Sequence, residues 1–170
     1  MSKLLIHFDH PQYLDTVLGE SITGLLDDCT EFALATTNGD KAHISIAHFA
    51  YNRVLDLYIL TPPYSQHIKN LDINPSVALA IWDAKKRFGE EKREIIAFGA
   101  CERVQKLDMA NALRQYSQRF RGLLEIVKHP MDFAKGATDS RLFVVKVSEI
   151  RLLDEQRFGK EKYIYLKIKR

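Results

Sequence analysis

The sequence has little cysteine and no long apolar run. Its two cysteines, Cys29 and Cys101, show no metal-ligand spacing, so free thiols in a reducing compartment are expected. No apolar stretch approaches the roughly 20 residues that span a bilayer. The apolar run at the N-terminus is too short for a signal peptide and is interrupted by histidine and aspartate. We therefore expect a cytoplasmic protein with no membrane partner.

The motifs of several enzyme classes are also missing. There is no P-loop, no GxGxxG and no Ser-His-Asp order, so nothing indicates a nucleotide triphosphatase or a hydrolase. No linker rich in proline, glycine or serine interrupts the chain, which predicts one domain over residues 1–170. His43 and His48 are five residues apart in a predicted strand and therefore face opposite ways. The spacing of the six histidines therefore does not predict a metal site.

The net charge of +3 says little about partners. Much of the positive excess lies in residues 160–170, KEKYIYLKIKR, where basic and apolar residues alternate. This pattern is typical of a strand with one solvated face. A nucleic-acid partner is therefore not predicted, and a basic interaction protein is the weakest hypothesis. Salt-dependent nucleic-acid binding would support that hypothesis.

Hydrophobic periodicity predicts a mainly β protein with peripheral helices. A helix is expected over residues 11–28 with Pro11 in its first turn, a shorter one near residues 65–73, and one or two between 107 and 133. Strands are predicted over residues 31–37, 41–50, 55–60, 76–82, 94–104, 141–153 and 162–168.

The predicted strands are joined in ways that favour antiparallel pairing. Asn38-Gly39 is a strong hairpin signal, and the first three strands form a meander. Residues 76–82 (SVALAIW) are nearly all apolar, which predicts burial on both faces. Gly99 lies inside a strand, where glycine often marks a bulge or a close approach. Together these features suggest a small closed antiparallel barrel.

Two stretches carry a resemblance to a known family. Residues 60–79 (LTPPYSQHIKNLDINPSVAL) look like the family's threonine, then Ser-x-Lys, then Asn-Pro-x-Val. Residues 93–104 (REIIAFGACERV) look like its Arg-Gln-apolar strand with a central glycine. In their order and separation these stretches resemble the FMN-binding split-barrel superfamily, whose best-known member is pyridoxamine 5'-phosphate oxidase. The resemblance covers residues 31–104 well.

The resemblance implies an antiparallel split β-barrel that forms a homodimer with FMN between the subunits. A helix N-terminus after the third strand would favour the phosphate, because it presents unpaired N–H groups and a partial positive charge. The implied function is a flavin-dependent oxidoreductase of unassigned substrate. The implied cofactor residues are Thr61, Ser65, His67 and Lys69 at the phosphate, Ser45, Ile46, Ala47 and His48 along the ring, and Glu94 from the partner chain. No catalytic side chain is assigned, because the flavin carries the redox chemistry.

The sequence departs from the family pattern at several of these positions. His67 stands where a lysine is usual, Gln66 where the oxidase has a basic residue, and Ser45 where it has an arginine. Glu94 replaces a glutamine, and Ala50 replaces the lysine that binds the substrate phosphate. Each lost charge-assisted hydrogen bond is worth roughly 1.5–3 kcal/mol. True pyridoxamine 5'-phosphate oxidation is therefore not expected.

Alternatives of another class stay open. The weakened cationic clamp fits a degenerate or non-catalytic barrel that senses a cofactor or binds none. Haem is a second cofactor hypothesis, with His7 or His129 as the axial ligand. Ser65 could serve only as a helix N-cap. Tyr64 and Phe88 could cover a flavin ring but are more simply expected to pack, and Trp82 is expected to pack in the core or at the dimer interface.

Overall fold

The structure is a computed structural model that describes residues 3–127, 132 and 138–170. Its elements run in the order β1 His7–Phe8, α1 Asp15–Asp28, β2 Glu31–Asn38, β3 Lys41–Tyr51, β4 Asp56–Thr61, α2 Gln66–Leu71, β5 Ser76–Trp82, β6 Arg93–Arg103, α3 Met109–Arg119, α4 Leu123–Ile126, β7 Arg141–Asp154, α5 Glu155–Phe158 and β8 Tyr163–Lys169.

Six antiparallel strands close into a barrel in the order β7-β4-β3-β2-β5-β6, with β6 returning to β7. The long strand β7 makes this closure possible. Its first half pairs with β4 on one side, while its second half pairs with β8, and β6 runs along its whole length on the other side. The short strand β1 extends the sheet beyond β8. The predicted closed antiparallel barrel and its initial meander are thus confirmed.

Alternation along β3 places one set of side chains inside the barrel and the other outside. The inward set runs through Ala47 to the fully buried Phe49, which stacks on Phe32 of β2. The outward set includes Ile44 and Ile46, which are 67% and 60% exposed. The alternation of residues 41–50 (KAHISIAHFA) predicts the same division, with Ile44 and Ile46 opposite His43, Ser45 and Ala47. The main core, which lies between the barrel and α1, is supplemented by a second cluster beneath α3.

Two expectations about burial are wrong. Strand β5 is buried on one face only, because Ala78 and Ala80 are half-exposed on the other and Trp82 at its end is 46% exposed. Alanine has too little surface to reveal which face it occupies, so the apolar run looked uniform. The apolar spacing between residues 107 and 133 predicts Leu107 on the packed side of a helix, but Leu107 is almost fully exposed and precedes α3.

Helix α1 begins at Asp15 and not near Pro11. The Asp15 carboxylate accepts hydrogen bonds from the Phe8 amide and lies 2.7 Å from the His7 ring nitrogen, which ties the helix start to β1. These bonds lower the pKa of Asp15, the amide bond being the larger cause. The ring of His10 accepts from the amides of Gln12 and Tyr13, so a turn replaces the expected first helical turn.

Gly99 faces the backbone of β7 at a point where the β6–β7 register shifts. Phe98 pairs with Glu149 and Gly99 pairs with Val147, so Ser148 is the extra residue of a bulge. A Cβ atom on Gly99 would lie 2.2 Å from the Lys146 carbonyl oxygen. The predicted bulge and close approach are both confirmed.

The helical segment expected up to residue 133 is described only in part, as α3 and α4. His129 and Pro130 lie outside the described residues. In the part of the chain that the structure describes, no helix is long and apolar enough to cross a membrane.

Candidate functional site

Three polar side chains meet where β4 leads into α2. The Nε2 atom of His67 lies 2.9 Å from the Thr61 hydroxyl and 3.1 Å from the Ser65 hydroxyl. The two hydroxyl oxygens are 3.4 Å apart. We call Thr61, Ser65 and His67 the hydroxyl–imidazole cluster. Thr61 is buried, while Ser65 and His67 are half-buried, so the cluster lies at the edge of the barrel interior.

The turn after β4 determines what the Ser65 hydroxyl does. Ser65 has extended backbone angles and stands at the N-cap position of α2, but its side chain makes no capping bond. Its hydroxyl instead donates to the Pro62 carbonyl oxygen at 2.8 Å. Ser65 therefore occupies the N-cap position without capping α2 through its side chain. Since its single proton is used on Pro62, the Ser65 oxygen acts as an acceptor toward the cluster.

The protonation of His67 sets the charge of the cluster. Burial lowers the pKa of His67 below its usual range, and the neighbouring His43 lowers it further. The ring is therefore neutral at pH 7. A proton on Nε2 allows the ring to donate to a cluster hydroxyl, and the Thr61 proton is then available to an outside acceptor.

A second polar network fixes α2 against the barrel and uses Gln66. The buried Asn70 amide donates to the Thr36 hydroxyl of β2 at 2.9 Å, and the Gln66 amide donates to Asn70 at 2.8 Å. Gln66 is thereby turned along the helix toward Asn70. Gln66 therefore anchors α2, whereas the family pattern has a basic residue at this position.

The predicted ring-lining residues of β3 divide between the two sides of the sheet. Ser45 and Ala47 face inward, and the Ser45 hydroxyl is buried with no hydrogen-bond partner in the described residues. Ile46 faces outward and is exposed. His48 also faces outward, 3.6 Å from the Glu31 carboxylate and with its ring 5.3 Å from that of Phe120. The expectation that His43 and His48 face opposite ways is confirmed.

Lys69 and Glu94 are placed apart from the hydroxyl–imidazole cluster. Lys69 is exposed and follows His67 by two positions, which is about 200° around a helix. Glu94 lies on β6 opposite Trp82 and accepts a hydrogen bond of 2.7 Å from the Tyr163 hydroxyl of β8. This bond is the main reason that the pKa of Tyr163 is raised. Within one chain, Glu94 therefore belongs to the β6–β8 region of the sheet.

Several residues near these sites were not assigned a role from the sequence. His43 was considered only as a metal ligand, yet it faces the interior beside His67. Tyr163 and Arg151 come together only because β7 and β8 pair, and the local pattern of either strand does not reveal this. Among the described residues, no group of three His, Cys, Asp or Glu side chains could hold a metal ion.

The aromatic residues considered as covers for a ring do not pack as expected. Phe88 is fully exposed in the loop between β5 and β6, and Tyr64 is 65% exposed beside the cluster. Both side chains project from the surface of the chain. The expectation that Tyr64 and Phe88 pack is therefore wrong within one chain. Trp82, which is 46% exposed, is not in the core either, and its packing at a dimer interface stays a prediction.

The residues present fit a phosphate-bearing group through hydroxyls more than through charge. The buried, unpartnered Ser45 hydroxyl and the Thr61 proton are donors that a phosphate oxygen could accept. Neither His67, which is neutral at pH 7, nor Lys69, which lies elsewhere, contributes a permanent positive charge. These donors offer hydrogen bonds to a phosphate but little charge, which predicts modest affinity at neutral pH.

Comparison with solved structures assigns the fold. A haem-binding protein from Mycobacterium smegmatis matches with a TM-score of 0.69 at 15% identity, over 87% of this chain and 57% of that protein. A candidate pyridoxamine 5'-phosphate oxidase from Listeria innocua matches with a TM-score of 0.61 at 15% identity, over 84% and 99% of the two chains. An FAD-binding protein from Mesorhizobium loti matches with a TM-score of 0.54 at 16% identity, over 86% and 96%.

These likenesses show an antiparallel split β-barrel, and the resemblance stated from the sequence is confirmed at the level of the fold. The chain spans little more than half the length of the mycobacterial protein. No family model and no curated protein sequence matches the chain.

Proposed function

We propose that the chain binds FMN with its phosphate at the hydroxyl–imidazole cluster and acts as a homodimeric, flavin-dependent oxidoreductase. The observation that carries this proposal is the convergence of Thr61, Ser65 and His67 at the edge of a split barrel. The likeness to the FAD-binding protein and to the oxidase candidate adds support for a flavin. The pattern at Ala50 gives no reason to expect pyridoxamine phosphate as the substrate.

In this proposal each part of the chain has a limited task. Thr61 donates its hydroxyl proton to a phosphate oxygen, and His67 adds a charged donor when it is protonated. Ser45 to His48 line the ring through the backbone of β3, and Glu94 contacts the cofactor from the partner chain. A bound flavin supplies one- or two-electron transfer, and the protein binds, orients and shields it.

A Thr61→Val variant tests the phosphate contact, because valine keeps the shape of threonine and removes the hydroxyl. We expect its dissociation constant for FMN to rise by roughly two- to tenfold, the effect of one hydrogen bond worth about 0.5–1.5 kcal/mol. Quenching of flavin fluorescence in a titration measures it. The exposed Thr16→Val on α1 is the matched control and should bind like the wild type. Equal affinity of the Thr61 variant and the wild type, or no FMN binding by the wild type, would contradict the proposal.

An exposed apolar surface supports the homodimer. Two rows of paired residues cross the outside of β3, β2, β5 and β6: Ile44, Ala35, Ala78 and Phe98 in one, and Ile46, Ala33, Ala80 and Ile96 in the other. We call these eight residues the outer apolar face; Ile44, Ile46, Ala35 and Phe98 are exposed, Ala78, Ala80 and Ile96 are half-buried, and Ala33 is buried among them. Contiguous apolar surface of this kind is rare on monomers and is typical of an interface. A second copy with the same face would cover it symmetrically.

An Ile46→Asp variant tests that interface. A carboxylate in the centre of a dry interface lacks a partner, so we expect the dimer to dissociate at least tenfold more readily. Sedimentation equilibrium over a concentration series measures the change. Because Ile46 is 60% exposed within one chain, the monomer should remain folded. A monomeric wild type, or a dimer that the substitution leaves intact, would argue against this interface.

A second candidate is a cofactor-binding or sensing barrel without turnover. The observation that favours it is that Thr61, Ser65 and His67 include no permanent cation, since the His67 ring is neutral at pH 7. The likeness to a haem-binding protein makes haem the other cofactor to consider. The absorbance spectrum of purified protein distinguishes flavin bands from a Soret band. A flavoprotein that NAD(P)H cannot reduce would favour sensing or storage.

A further inference from the structure

At its β6 edge, the outer apolar face adjoins a cavity that is lined mainly by charged and aromatic residues. Its two rows continue across β7 and β8 as Glu149 paired with Lys167, and Arg151 paired with Tyr165. These four residues and Phe98 line a cavity of about 400 Å³, together with Asp9, Ile150 and Leu166. Apolar pairs on β5 and β6 therefore give way to charged and aromatic pairs on β7 and β8. We call this space the Arg151 cavity.

The guanidinium group of Arg151 lies between two tyrosines. Its Cζ atom is 5.2 Å from the centre of the Tyr163 ring and 5.3 Å from that of Tyr165, within the range of cation–π contacts. The Tyr163 hydroxyl is directed to Glu94. The two rings hold the guanidinium in place without neutralising its charge.

Arg151 has unused hydrogen-bonding capacity. Its Nε atom is buried with no acceptor, and no carboxylate lies within 4.0 Å of the guanidinium among the residues that the structure describes. Buried donors in proteins are almost always paired, so an unpaired one indicates a missing acceptor. A planar guanidinium presents parallel donors that match a carboxylate.

The side chains that line the cavity carry two negative and two positive charges, on Asp9, Glu149, Arg151 and Lys167. Asp9 is 3.1 Å from Lys169 in an exposed ion pair, which offsets part of its charge. Lys167 and Glu149 face each other across β7 and β8 without an ion pair within 4.0 Å in the described residues. The rings of Phe98 and Tyr165 supply flat apolar surface beside the guanidinium.

We propose that the Arg151 cavity binds a small aromatic carboxylate, with the carboxylate on the Arg151 guanidinium and the ring against Phe98 and Tyr165. A carboxylate on a flat ring satisfies both features of the cavity, since the anion pairs with the guanidinium and the ring covers apolar surface. Its walls are Asp9, which follows β1, and residues of β6, β7 and β8 of one chain. The cavity adjoins the outer apolar face through Phe98, and the proposed phosphate contacts Thr61, Ser65 and His67 do not line it.

The test uses 4-fluorobenzoate as the probe and fluorine NMR line broadening as the measurement, on the full chain. The uncharged 4-fluorobenzamide, which has the same ring, should bind at least about tenfold more weakly. Arg151→Gln should weaken 4-fluorobenzoate binding by a similar factor, and Arg151→Lys by less, since lysine keeps the charge but loses the planar donors. Glu149→Gln should strengthen it by removing a like charge.

Controls separate this site from general electrostatics and from the flavin site. Arg103→Gln, an exposed arginine at the other end of β6, should leave 4-fluorobenzoate binding unchanged. The Thr61→Val variant should also bind the probe as the wild type does, whatever its affinity for FMN. Equal binding of the acid and the amide, equal binding by the wild type and Arg151→Gln, or full displacement of the probe by an equal concentration of inorganic phosphate would overturn the proposal.

Discussion

A Gly99→Ala variant is expected to lose roughly 3 kcal/mol of unfolding free energy, the upper part of the usual range for overpacking. The added methyl group would lie 2.2 Å from the Lys146 carbonyl oxygen and 2.9 Å from its carbon, closer than any real Cβ contact. Both neighbours are backbone atoms, so no side chain can rotate away. Urea denaturation at 25 °C measures the loss as a lower midpoint with an unchanged slope.

The position of Gly99 explains why the barrel cannot easily absorb this strain. Strands β6 and β7 pair along their whole length, and β7 is also bonded to β4 and β8 on its other edge. Movement of Lys146 would therefore disturb the closure of the barrel. Gly122→Ala is the matched control, because Gly122 has a φ of −57° and no atom within 4 Å of an added Cβ. Similar midpoints for the two variants would show that β7 can move at the bulge.

Local sequence signals predicted the parts of the fold that depend on local physics. The alternation in β3 and the glycine in β6 were interpreted correctly, because a strand's two faces and a missing side chain are visible in sequence. The start of α1 was missed because Asp15 is bound to β1, a contact that only the folded chain creates. The exposed side of β5 was missed because alanine fits either environment.

The candidate site shows the same division. Thr61, Ser65 and His67 lie within seven residues, so a sequence motif can predict that they form one site. In the structure they are joined by hydrogen bonds. The motif did not show that these groups bond to one another, or that Gln66 turns to Asn70. Arg151 and Tyr165 are adjacent only through the β7–β8 register, which local periodicity does not determine.

A His67→Lys variant is expected to bind FMN at least about tenfold more tightly than the wild type at pH 7.5. Burial and His43 lower the pKa of His67, so the wild-type ring is neutral at this pH. Lysine at the same position would carry a charge and form a charge-assisted bond worth roughly 1.5–3 kcal/mol. Flavin fluorescence quenching at fixed ionic strength gives both dissociation constants.

The affinity of the wild type for FMN should also depend on pH. A phosphate favours the protonated ring, so wild-type affinity for FMN should rise as the pH falls from about 7.5 toward 5.5, through and below the ordinary histidine pKa of about 6.5. The stability of the free protein should change in the opposite direction and decrease as the pH falls. Because the folded pKa is the lower one, the unfolded chain binds a proton first, and the free protein loses stability over the same interval.

Two comparisons separate His67 from the FMN phosphate and from His43. A phosphate monoester has a second pKa near 6, so FMN itself gains a proton there, and His43 is a second imidazole beside His67. The His67→Gln variant retains both of these groups and lacks only the imidazole, and riboflavin lacks only the phosphate. The excess pH dependence of the wild type over His67→Gln should be present with FMN and absent with riboflavin. An equal dependence in the wild type and in His67→Gln would place the phosphate away from this cluster, because a bound phosphate 3 Å from the ring must favour its protonation.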